Sequence, residues 1–400
     1  MLGEYKLKVA WLHPHFKQWN GGVRYIYEVA KRLNDKCEIK LYVGMASPPI
    51  RNMFSEIGIE IKEIPSLFFS TDYNKTNVKH WLFFNYYLRR ACKDLKGEFH
   101  DYDVLFSSYF PMNCITSRLT KKSIYMFFEP CTFLYDDYFI SDFSFMKRNL
   151  IKSLRQFYFK YDIEGAKKSS KLITITKFSA YRGKQIYNRL AEVSYPGVDS
   201  EFFCKKYDDR LMSQYSGYKI VLHSASYFNP VKGTHFLIMA LPKILKKVTK
   251  CKLLILNCVK DAKTKSKLIN LANKLGVLDK IEFLPFIDEK TLPYYYSLAD
   301  VVAQPSIHES FRLPLCEGNA CETPGVCFSG GSAEEEIIHG QTGFIAPLGR
   351  VEELASAITT ILENPDLKER LGKASRKRVE SLFNWDRTAD CVWKIIKDTS

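Results

Sequence analysis

The sequence lacks the paired cysteines that would indicate a disulfide framework or a structural zinc site. Its 11 cysteines are scattered, without a C-x-x-C pair or histidines at zinc-ligand spacing. It also lacks any window near the roughly 18 consecutive apolar residues of a membrane span. The start, MLGEYKLKVAWLHPHF, turns polar too early for a signal peptide. We therefore expect a cytoplasmic protein with reduced thiols and no bound metal.

Internal repeats and low-complexity segments are absent from the 400 residues. Apolar residues make up 46% of the chain and aromatic residues 14%, which is enough to form sizeable cores. Because the length exceeds what one core usually supports, we expect two globular domains.

Basic side chains exceed acidic ones, 59 to 44, which gives a formal net charge of +15. Such a charge attracts phosphate-bearing partners, although solvated surface lysines alone would produce the same excess. No RNP, KH or OB sequence pattern accompanies the basic residues, so we expect no nucleic-acid partner. Nucleotides and anionic membrane surfaces remain as classes of partner.

Short apolar runs alternate with stretches of helical period along the whole chain. The runs are KVAWL, IKLYV, DVLFSS, SIYMFF and KLITIT in the first half, and KIVLHSA, KLLILN, IEFLPF, DVVAQPS, GVCFS and GFIAP in the second. This alternation predicts parallel sheets with helices on both faces. The predicted fold is α/β, with two Rossmann-like doubly wound lobes that face a central cleft at the carboxyl ends of their strands.

The predicted boundary between the lobes follows from Pro196 and Gly197, which break regular structure within VSYPGVDSEFF. We predict one Rossmann-like domain over residues 1–197 and a second over residues 198–382. A C-terminal amphipathic helix in residues 383–400 is expected to cross back to the first domain.

The segment from Ala303 to Glu322 carries the most informative pattern. A buried strand, DVVAQ, runs into a turn, and a helix is expected to begin near Phe311–Leu313. Free amide groups at such a helix start suit a diphosphate. Glu309 precedes that start and Glu317 lies inside the helix, where carboxylates can accept hydrogen bonds from sugar or ribose hydroxyls.

This segment resembles the signature of glycosyltransferase family four, E-x-F-G-x-x-x-x-E-A-x-A-x-G-x-P-V, whose members have the GT-B fold. In ESFRLPLCEGNACETPGV, seven residues likewise separate the two glutamates. The resemblance implies that Glu309 is catalytic and holds hydroxyls of the donor sugar, while Glu317 holds the ribose. The residues implied to bind the donor diphosphate are Ser310, Phe311, Arg312 and Leu313. Arg312 replaces a glycine of the signature, and Glu322 replaces another.

Further matches to the same family lie upstream and downstream. SASYFNPVKGTHFL resembles the family's G-R-x-x-x-x-K-G segment, so Lys232 is expected to be catalytic by stabilising the leaving diphosphate. Tyr227 replaces the arginine of that segment at a donor-binding position. IEFLPFID resembles the loop that frames the nucleobase, near Phe286 and Ile287. GGSAEEEIIHGQTG matches a glycine-rich stretch of the family, with Glu335 at its acidic position.

The first domain, which would bind the acceptor, matches the family less closely. Its first strand ends near His15, and the glycines of QWNGG precede a helix. The resemblance implies that Gly21 and Gly22 line the donor phosphates and the acceptor, with Gly22 assigned to the donor and Gly21 to the acceptor side. His15, from its place at the strand end, is either a further acceptor-side residue or only a polar cap. Phe128 replaces a histidine of the family. The adjacent Glu129 is either an acid–base group or acceptor ligand, or an exposed loop glutamate.

Phe143–Lys168 has apolar and aromatic residues at helical spacing, interleaved with basic residues. Such a stretch suits an anionic membrane surface, which would make the protein peripheral on the cytoplasmic face. A helix that packs on a sheet and keeps a charged outer face has the same pattern. The basic residues are Lys147, Arg148, Lys152, Arg155 and Lys160.

The resemblance as a whole implies a retaining, metal-independent glycosyltransferase. It would move a hexosyl unit from a UDP- or GDP-sugar to a saccharide, glycan or lipid-linked acceptor, with no cofactor besides that co-substrate. One alternative is a catalytically silent homologue or scaffold that binds sugar nucleotides. The replacements of family residues at Tyr227, Arg312 and Phe128 favour this alternative. Another is a sugar phosphorylase or sugar-phosphate synthase.

Overall fold

The computed structural model describes residues 6–67, 83–140, 143–224, 230–256, 262–285 and 287–400. The chain divides into two compact units. The first unit combines Met1–Tyr195 with Trp385–Ser400, and the second unit is Pro196–Asn384. These boundaries lie within two residues of those that the sequence predicts.

The first unit is built on a parallel sheet. Its strands are β1 (Leu7–His13), β2 (Cys37–Val43), β3 (Glu60–Glu63), β4 (Val104–Ser108), β5 (Ser123–Phe127), β6 (Lys171–Thr174) and β7 (Glu192–Val193). They pair in the order β3-β2-β1-β4-β5-β6-β7, and every pair is parallel. All residues of β4 and β5 are buried, as expected for central strands covered on both faces.

Helices cover both faces of this sheet. They are α1 (Gly21–Leu33), α2 (Pro48–Glu56), α3 (Phe84–Asp94), α4 (Met112–Leu119), α5 (Thr132–Tyr135), α6 (Phe145–Lys168), α7 (Lys177–Tyr187) and, at the chain's end, α16 (Trp385–Lys397). Short 3-10 turns occupy Pro65–Leu67 and Asp137–Ile140. The terminal helix α16 packs on α1, where Arg32 Nε donates to Asp386 Oδ1 at 2.6 Å.

Helix α1 begins where it does because Asn20 caps it. The Asn20 Oδ1 atom accepts hydrogen bonds from the backbone N–H groups of Gly22 and Val23, each at 3.0 Å. Val23, Ile26 and Val29 recur at helical spacing on the buried face of the helix. The turn QWNGG after β1 is therefore fixed at a defined place beside the sheet.

A buried carboxylate lies in the core of the first unit, on helix α6. Asp162 Oδ2 accepts from the hydroxyls of Tyr135 and Tyr187, both at 2.9 Å. Its Oδ1 accepts from Asn113 Nδ2 at 2.9 Å and from the Tyr125 hydroxyl at 3.4 Å. Burial raises the pKa of the Asp162 carboxyl to about 6, while these hydrogen bonds act in the opposite direction.

The second unit repeats the strand arrangement. Its strands are β8 (Lys219–Ser224), β9 (Cys251–Leu256), β10 (Ile281–Phe283), β11 (Val301–Gln304), β12 (Gly325–Phe328) and β13 (Gly343–Ala346). They are all parallel and pair in the order β10-β9-β8-β11-β12-β13. In each unit the strand order reverses beside the unit's first strand, between β1 and β4 and between β8 and β11.

The helices of the second unit pack around this sheet. They are α8 (Asp209–Gln214), α9 (Thr234–Leu245), α10 (Ala262–Lys274), α11 (Leu292–Leu298), α12 (Leu313–Ala320), α13 (Ala333–Glu336), α14 (Val351–Leu362) and α15 (Pro365–Leu382). Short 3-10 turns occupy Pro230–Lys232, Leu278–Lys280 and Glu289–Thr291. Ile238, Leu241, Leu253 and Ile358 lie in one buried apolar cluster that joins α9 and α14 to the sheet.

The predicted α/β class, with two doubly wound parallel sheets, is confirmed by these elements. Open sheets of this kind bind ligands at the carboxyl ends of their strands, where the strand order reverses. Among the described residues, no helix is both long enough and apolar enough to cross a bilayer.

Candidate active site

Lys232 and Glu309 meet at the point where the strand order of the second unit reverses. Lys232 lies in the segment between β8 and α9, and Glu309 lies in the loop that follows β11. The Lys232 Nζ atom donates to both carboxylate oxygens of Glu309, at 2.9 and 2.8 Å. Their side chains are 20% and 19% exposed, so a ligand from solvent can reach both.

Two glycines allow the loops that carry this pair to approach other backbone closely. Gly233 has φ +75°, and a Cβ at that position would lie 1.9 Å from the carbonyl oxygen of Pro305. Gly331 has φ +57°, and its Cβ would lie 2.0 Å from the carbonyl oxygen of Glu309. Any side chain at either position would therefore displace the loop after β11 and, with it, Glu309.

Glu317 occupies the interior of α12 and is only 5% exposed. Its Oε2 atom accepts from the Tyr296 hydroxyl at 2.9 Å. Burial raises the pKa of Tyr296 well above its usual value, and the Glu317 charge adds to that rise, so the phenol stays a hydrogen-bond donor at neutral pH. Glu317 is thus a pre-positioned carboxylate whose orientation is set by a buried tyrosine.

Arg312 lies in the interior of the second unit, with a side chain only 1% exposed. Its Nη1 atom is 3.2 Å from Glu336 Oε2, its Nη2 atom donates to the Gly330 carbonyl at 2.8 Å, and its backbone N–H donates to Glu336 Oε1 at 2.8 Å. Burial raises the pKa of Glu336, and the Arg312 charge opposes that rise. The expectation that Arg312 binds the donor phosphates is therefore corrected, because its guanidinium and its amide are both engaged by Glu336.

The other predicted donor residues of this unit occupy mixed environments. Helix α12 begins at Leu313, within the predicted range, and Ser310 and Leu313 are half-buried. Phe311 is buried and packs edge-on against Phe383, at 5.2 Å between ring centroids. Ile287 is half-buried. Two further predicted residues lie outside the described residues: Tyr227 and Phe286.

His223, in β8, is a buried polar residue of the same region that the sequence analysis did not single out. Its Nδ1 atom lies 2.9 Å from the Ala303 carbonyl oxygen, and its Nε2 atom lies 3.0 Å from Thr234 Oγ1. Burial lowers the pKa of His223 to about 4, so the ring is neutral at physiological pH. His223 thus connects β8 to β11 and to the start of α9, the elements that flank the segments of Lys232 and Glu309.

In the first unit, the equivalent point between β1 and β4 is lined by aromatic side chains. His13, at the end of β1, stacks on Phe16 and contacts Tyr109 edge-on. Burial lowers the pKa of His13 well below its usual value, and its Nδ1 atom lies 2.8 Å from Ser108 Oγ. His15, the predicted acceptor-side histidine, is half-buried two residues further on.

The predicted glycines of the first unit have different surroundings. A Cβ at Gly22 would lie 3.0 Å from the Tyr109 hydroxyl and 3.6 Å from Phe128 Cε2, whereas a Cβ at Gly21 would meet nothing within 4 Å. Phe128, which replaces the family's histidine, is buried between the rings of Tyr25 and Tyr109. A side chain at position 22 would therefore press on the Tyr109 hydroxyl, whereas Gly21 leaves open space at the start of α1.

Glu129 forms an ion pair with Arg182 of helix α7. The same arginine donates to Asp136 through Nη2, at 2.8 and 3.0 Å, and burial lowers its pKa. With 8% of its side chain exposed, Glu129 is not an exposed loop glutamate. The other predicted role, an acid–base group or acceptor ligand, stays a hypothesis. Arg182 holds the Glu129 carboxylate in place.

Residues 213–378 match the family model described as glycosyl transferases group 1. The match lies within the second unit and includes Lys232, Glu309 and Glu317. The match supports the prediction of a glycosyltransferase domain in the second unit, and the activity of the whole chain stays a prediction.

Curated relatives carry the same class of name. The D-inositol 3-phosphate glycosyltransferase of Kribbella flavida is 30% identical over 207 residues, which are 50% of this chain and 48% of that protein. The protein of the same name from Actinosynnema mirum is 35% identical over 130 residues, which are 32% of this chain and 31% of that protein. The chain spans about half, or less, of the length of the curated relatives it matches.

Solved structures resemble the chain over nearly its full length. Sucrose-phosphate synthase from Thermosynechococcus elongatus has a TM-score of 0.78 at 17% identity, covering 98% of this chain and 99% of that one. HepE of Anabaena, in complex with UDP and glucose, has a TM-score of 0.77 at 18% identity, covering 98% of this chain and 100% of that one. At these identities the likeness shows the fold alone, and the predicted GT-B fold is confirmed.

Proposed function

We propose that the chain is a retaining glycosyltransferase whose second unit binds a nucleotide-diphosphate sugar. The observation that carries the proposal is the Lys232–Glu309 pair, partly open to solvent at the point where the strand order reverses. Glu317 stands in the same unit as a second, pre-positioned carboxylate. The match to glycosyl transferases group 1 supports the assignment because it includes all three residues.

The proposed chemistry divides the donor among these three side chains. Glu309 accepts hydrogen bonds from hydroxyls of the donor sugar, Glu317 accepts from the ribose, and Lys232 offers its charge to the diphosphate. The bond between the anomeric carbon and the diphosphate breaks with its electron pair leaving on the phosphate oxygen. Lys232 stabilises the negative charge that develops there.

The acceptor oxygen forms the new bond to the anomeric carbon with retained configuration. In this proposal the acceptor proton passes to the departing phosphate oxygen, so the replacement of the family's histidine by Phe128 does not prevent transfer. The reaction is proposed to need no metal ion, since Lys232 supplies the positive charge. The first unit is proposed to bind the acceptor, which is a saccharide, a glycan or a lipid-linked saccharide.

UDP-sugars are the donors to test first. HepE has been solved with UDP-glucose, and the present chain has the same fold, which makes a uridine donor the leading candidate; GDP-sugars are the second. The test is a thermal-shift screen of the purified chain against UDP-, GDP- and ADP-sugars and the free diphosphates, because a ligand that binds the native state raises the melting temperature.

The expected result is a rise in melting temperature with one nucleotide sugar. Glu317→Ala should abolish the shift, and Glu309→Gln should abolish transfer. Glu363→Gln, an exposed glutamate of the same unit, serves as the matched control and should leave both unchanged. A shift that survives Glu317→Ala would contradict the assigned site, and no shift with any nucleotide would favour a catalytically silent homologue.

We also propose that the first unit docks on an anionic membrane, which would place the protein at the cytoplasmic face. Helix α6 leaves large apolar side chains in solvent, among them Phe145, Met146, Leu150 and Phe157. The start of α3 packs beside it, because Phe84 contacts Tyr158 and Tyr161, and it adds the exposed Phe83 and Tyr86. Apolar side chains bordered by basic ones are typical of surfaces that lie in a lipid interface.

The basic residues of α6 do not all face outward. Arg155 is buried and donates to Asp137 Oδ1 at 2.8 Å, so its predicted membrane contact is corrected. Lys152 is exposed but is also paired with Asp137. Lys147, next to the exposed Phe145 and Met146, and Arg148, whose guanidinium lies 6.0 Å from the Phe145 ring centroid, are the cations best placed to meet lipid phosphates.

A further inference from the structure

Tyr109 is the one exposed member of the aromatic group at the reversal point of the first unit. It directly follows β4, and 36% of its surface is exposed. Its neighbours Phe128 and His13 are buried, with ring centroids 4.9 and 5.3 Å from that of Tyr109. A fixed support therefore lies beneath a ring that solvent reaches.

The backbone of Tyr109 is strained. Its φ is +68°, in the left-handed region that favours glycine and that bulky residues rarely adopt. Glycine, or asparagine at smaller cost, would occupy this conformation more readily. Strain of this kind persists where the surrounding structure imposes it, and it is concentrated at functional sites.

The packing around the Tyr109 hydroxyl depends on Gly22. A Cβ at position 22 would lie 3.0 Å from that hydroxyl, closer than atoms normally approach. Gly22 is itself held by its hydrogen bond to the Asn20 side chain. The loop after β1 thus leaves room for a tyrosine hydroxyl at a defined place after β4.

We propose that Tyr109 binds the sugar in the acceptor site. Its exposed ring packs against the apolar face of a pyranose, and its hydroxyl forms a hydrogen bond with one of the sugar's hydroxyls. An aromatic ring with a polar tip suits a neutral carbohydrate, which has an apolar face and a polar edge. Burial keeps the nearby His13 imidazole neutral, so it offers no charge to a phosphate. This inference rests on the proposed glycosyltransferase function.

The test is saturation-transfer NMR with methyl α-glucoside, methyl α-mannoside and methyl α-galactoside, in the presence of UDP. We expect the wild-type chain to saturate the ring C–H protons of at least one glycoside. Tyr109→Gly, which also relieves the backbone strain, should weaken that binding about three- to tenfold, the effect expected of one lost ring contact. Tyr181→Ala, which removes a 63%-exposed tyrosine of the same unit, is the matched control and should change nothing.

A second pair of variants separates positioning from folding. Gly22→Ala should weaken glycoside binding in the wild-type background and have little effect in the Tyr109→Phe background, because the crowded hydroxyl is then gone. Tryptophan fluorescence should show Tyr109→Gly melting no lower than the wild type.

The outcomes distinguish this inference from the proposed function. Equal glycoside signals in Tyr109→Gly and wild type would overturn the inference, as would a wild type that binds a nucleotide sugar but none of the three glycosides. A wild type that binds no nucleotide sugar in the thermal-shift screen would instead contradict the proposed function.

Discussion

The two units place different side chains at the same point of the same topology. In the second unit, the ends of β8 and β11 are followed by Lys232 and Glu309, which form a partly exposed ion pair. In the first unit, the ends of β1 and β4 are lined by His13, held neutral by burial, and by the ring of Tyr109. One parallel-sheet scaffold thus carries an ion pair at this point in one unit and a neutral imidazole beside an aromatic ring in the other.

The same contrast extends into the two cores. Arg312 and Glu336 are buried together as opposite charges, whereas the buried Asp162 is surrounded by neutral tyrosine and asparagine donors. Because a paired charge and a solitary one respond differently to mutation and to pH, this difference can be tested directly.

The largest effect on stability is expected from breaking the charge pair of the second unit. Arg312→Met would leave Glu336 buried without its counter-charge and should cost about 3–5 kcal/mol of unfolding free energy. Circular dichroism in denaturant measures it. Arg350→Met, which removes an exposed arginine paired with Glu353, is the control and should have little effect. Equal small losses of unfolding free energy in both variants would mean that the buried Arg312–Glu336 pair is not needed for stability.

The next largest effect is expected on activity, from breaking the partly exposed Lys232–Glu309 pair. Lys232→Met should reduce the transfer rate constant about 10²–10³-fold while the melting temperature stays near that of the wild type. Lys243→Met, which removes an exposed lysine paired with Glu352, is the matched control.

A charge swap sharpens this prediction. The double variant Lys232→Glu/Glu309→Lys restores an ion pair but reverses its direction, so it should remain folded and inactive. Recovery of transfer in the swapped protein would show that the pair is only structural.

The buried carboxyl group of Asp162 predicts that the stability of the first unit depends on pH. Its folded pKa of about 6 lies above the usual 3.8, so the stability contributed by the protonated carboxyl is present below about pH 4 and is lost as pH rises through 6. The loss should approach about 3 kcal/mol by pH 7. Asp162→Asn stays neutral, so its unfolding free energy should rise relative to the wild type between pH 4 and 7. A constant difference across that range would contradict the raised pKa.

Tryptophan fluorescence can measure this effect selectively. All five tryptophans of the chain lie within the residue ranges of the first unit, at positions 11, 19, 81, 385 and 393. Fluorescence therefore follows unfolding of the first unit, and circular dichroism follows both.

The smallest effect is expected at the membrane surface. Replacing Lys147 and Arg148 by glutamine should weaken binding to vesicles that contain phosphatidylserine roughly 30-fold at low salt, at about 1 kcal/mol per charge. Lys246→Gln/Lys247→Gln removes the same charge from an exposed site on the second unit and should leave co-sedimentation unchanged. Equal losses in both variants would mean that net charge, and not helix α6, determines the binding.

Local patterns in the sequence predicted the elements well because they depend on neighbours along the chain. The alternation of apolar runs predicted the strands, and the glycines of QWNGG were predicted to precede a helix, which begins at Gly21. The start of α12 at Leu313 likewise falls where the turn and Pro314 favour it.

The sequence could not predict contacts between residues far apart in the chain. The partner of Arg312 lies 24 residues away and the partner of Glu129 lies 53 residues away, so nothing near either residue indicates a buried ion pair. Tyr296 is one of three consecutive tyrosines, and only the fold shows that its hydroxyl meets Glu317. Tyr109 was missed because a tyrosine carries no sequence signal for a left-handed backbone.

The return of helix α16 to the first unit has a consequence for synthesis. During translation the first unit begins to emerge before the second but lacks its last helix until residues 385–397 are made. The second unit, which is continuous in sequence, can close its sheet earlier. Until α16 is made, the face of α1 that it will cover is exposed on the nascent chain. That face includes Tyr25, whose ring contacts Trp385 in the complete fold. We expect chains released near residue 384 to expose that apolar face and to depend on chaperones.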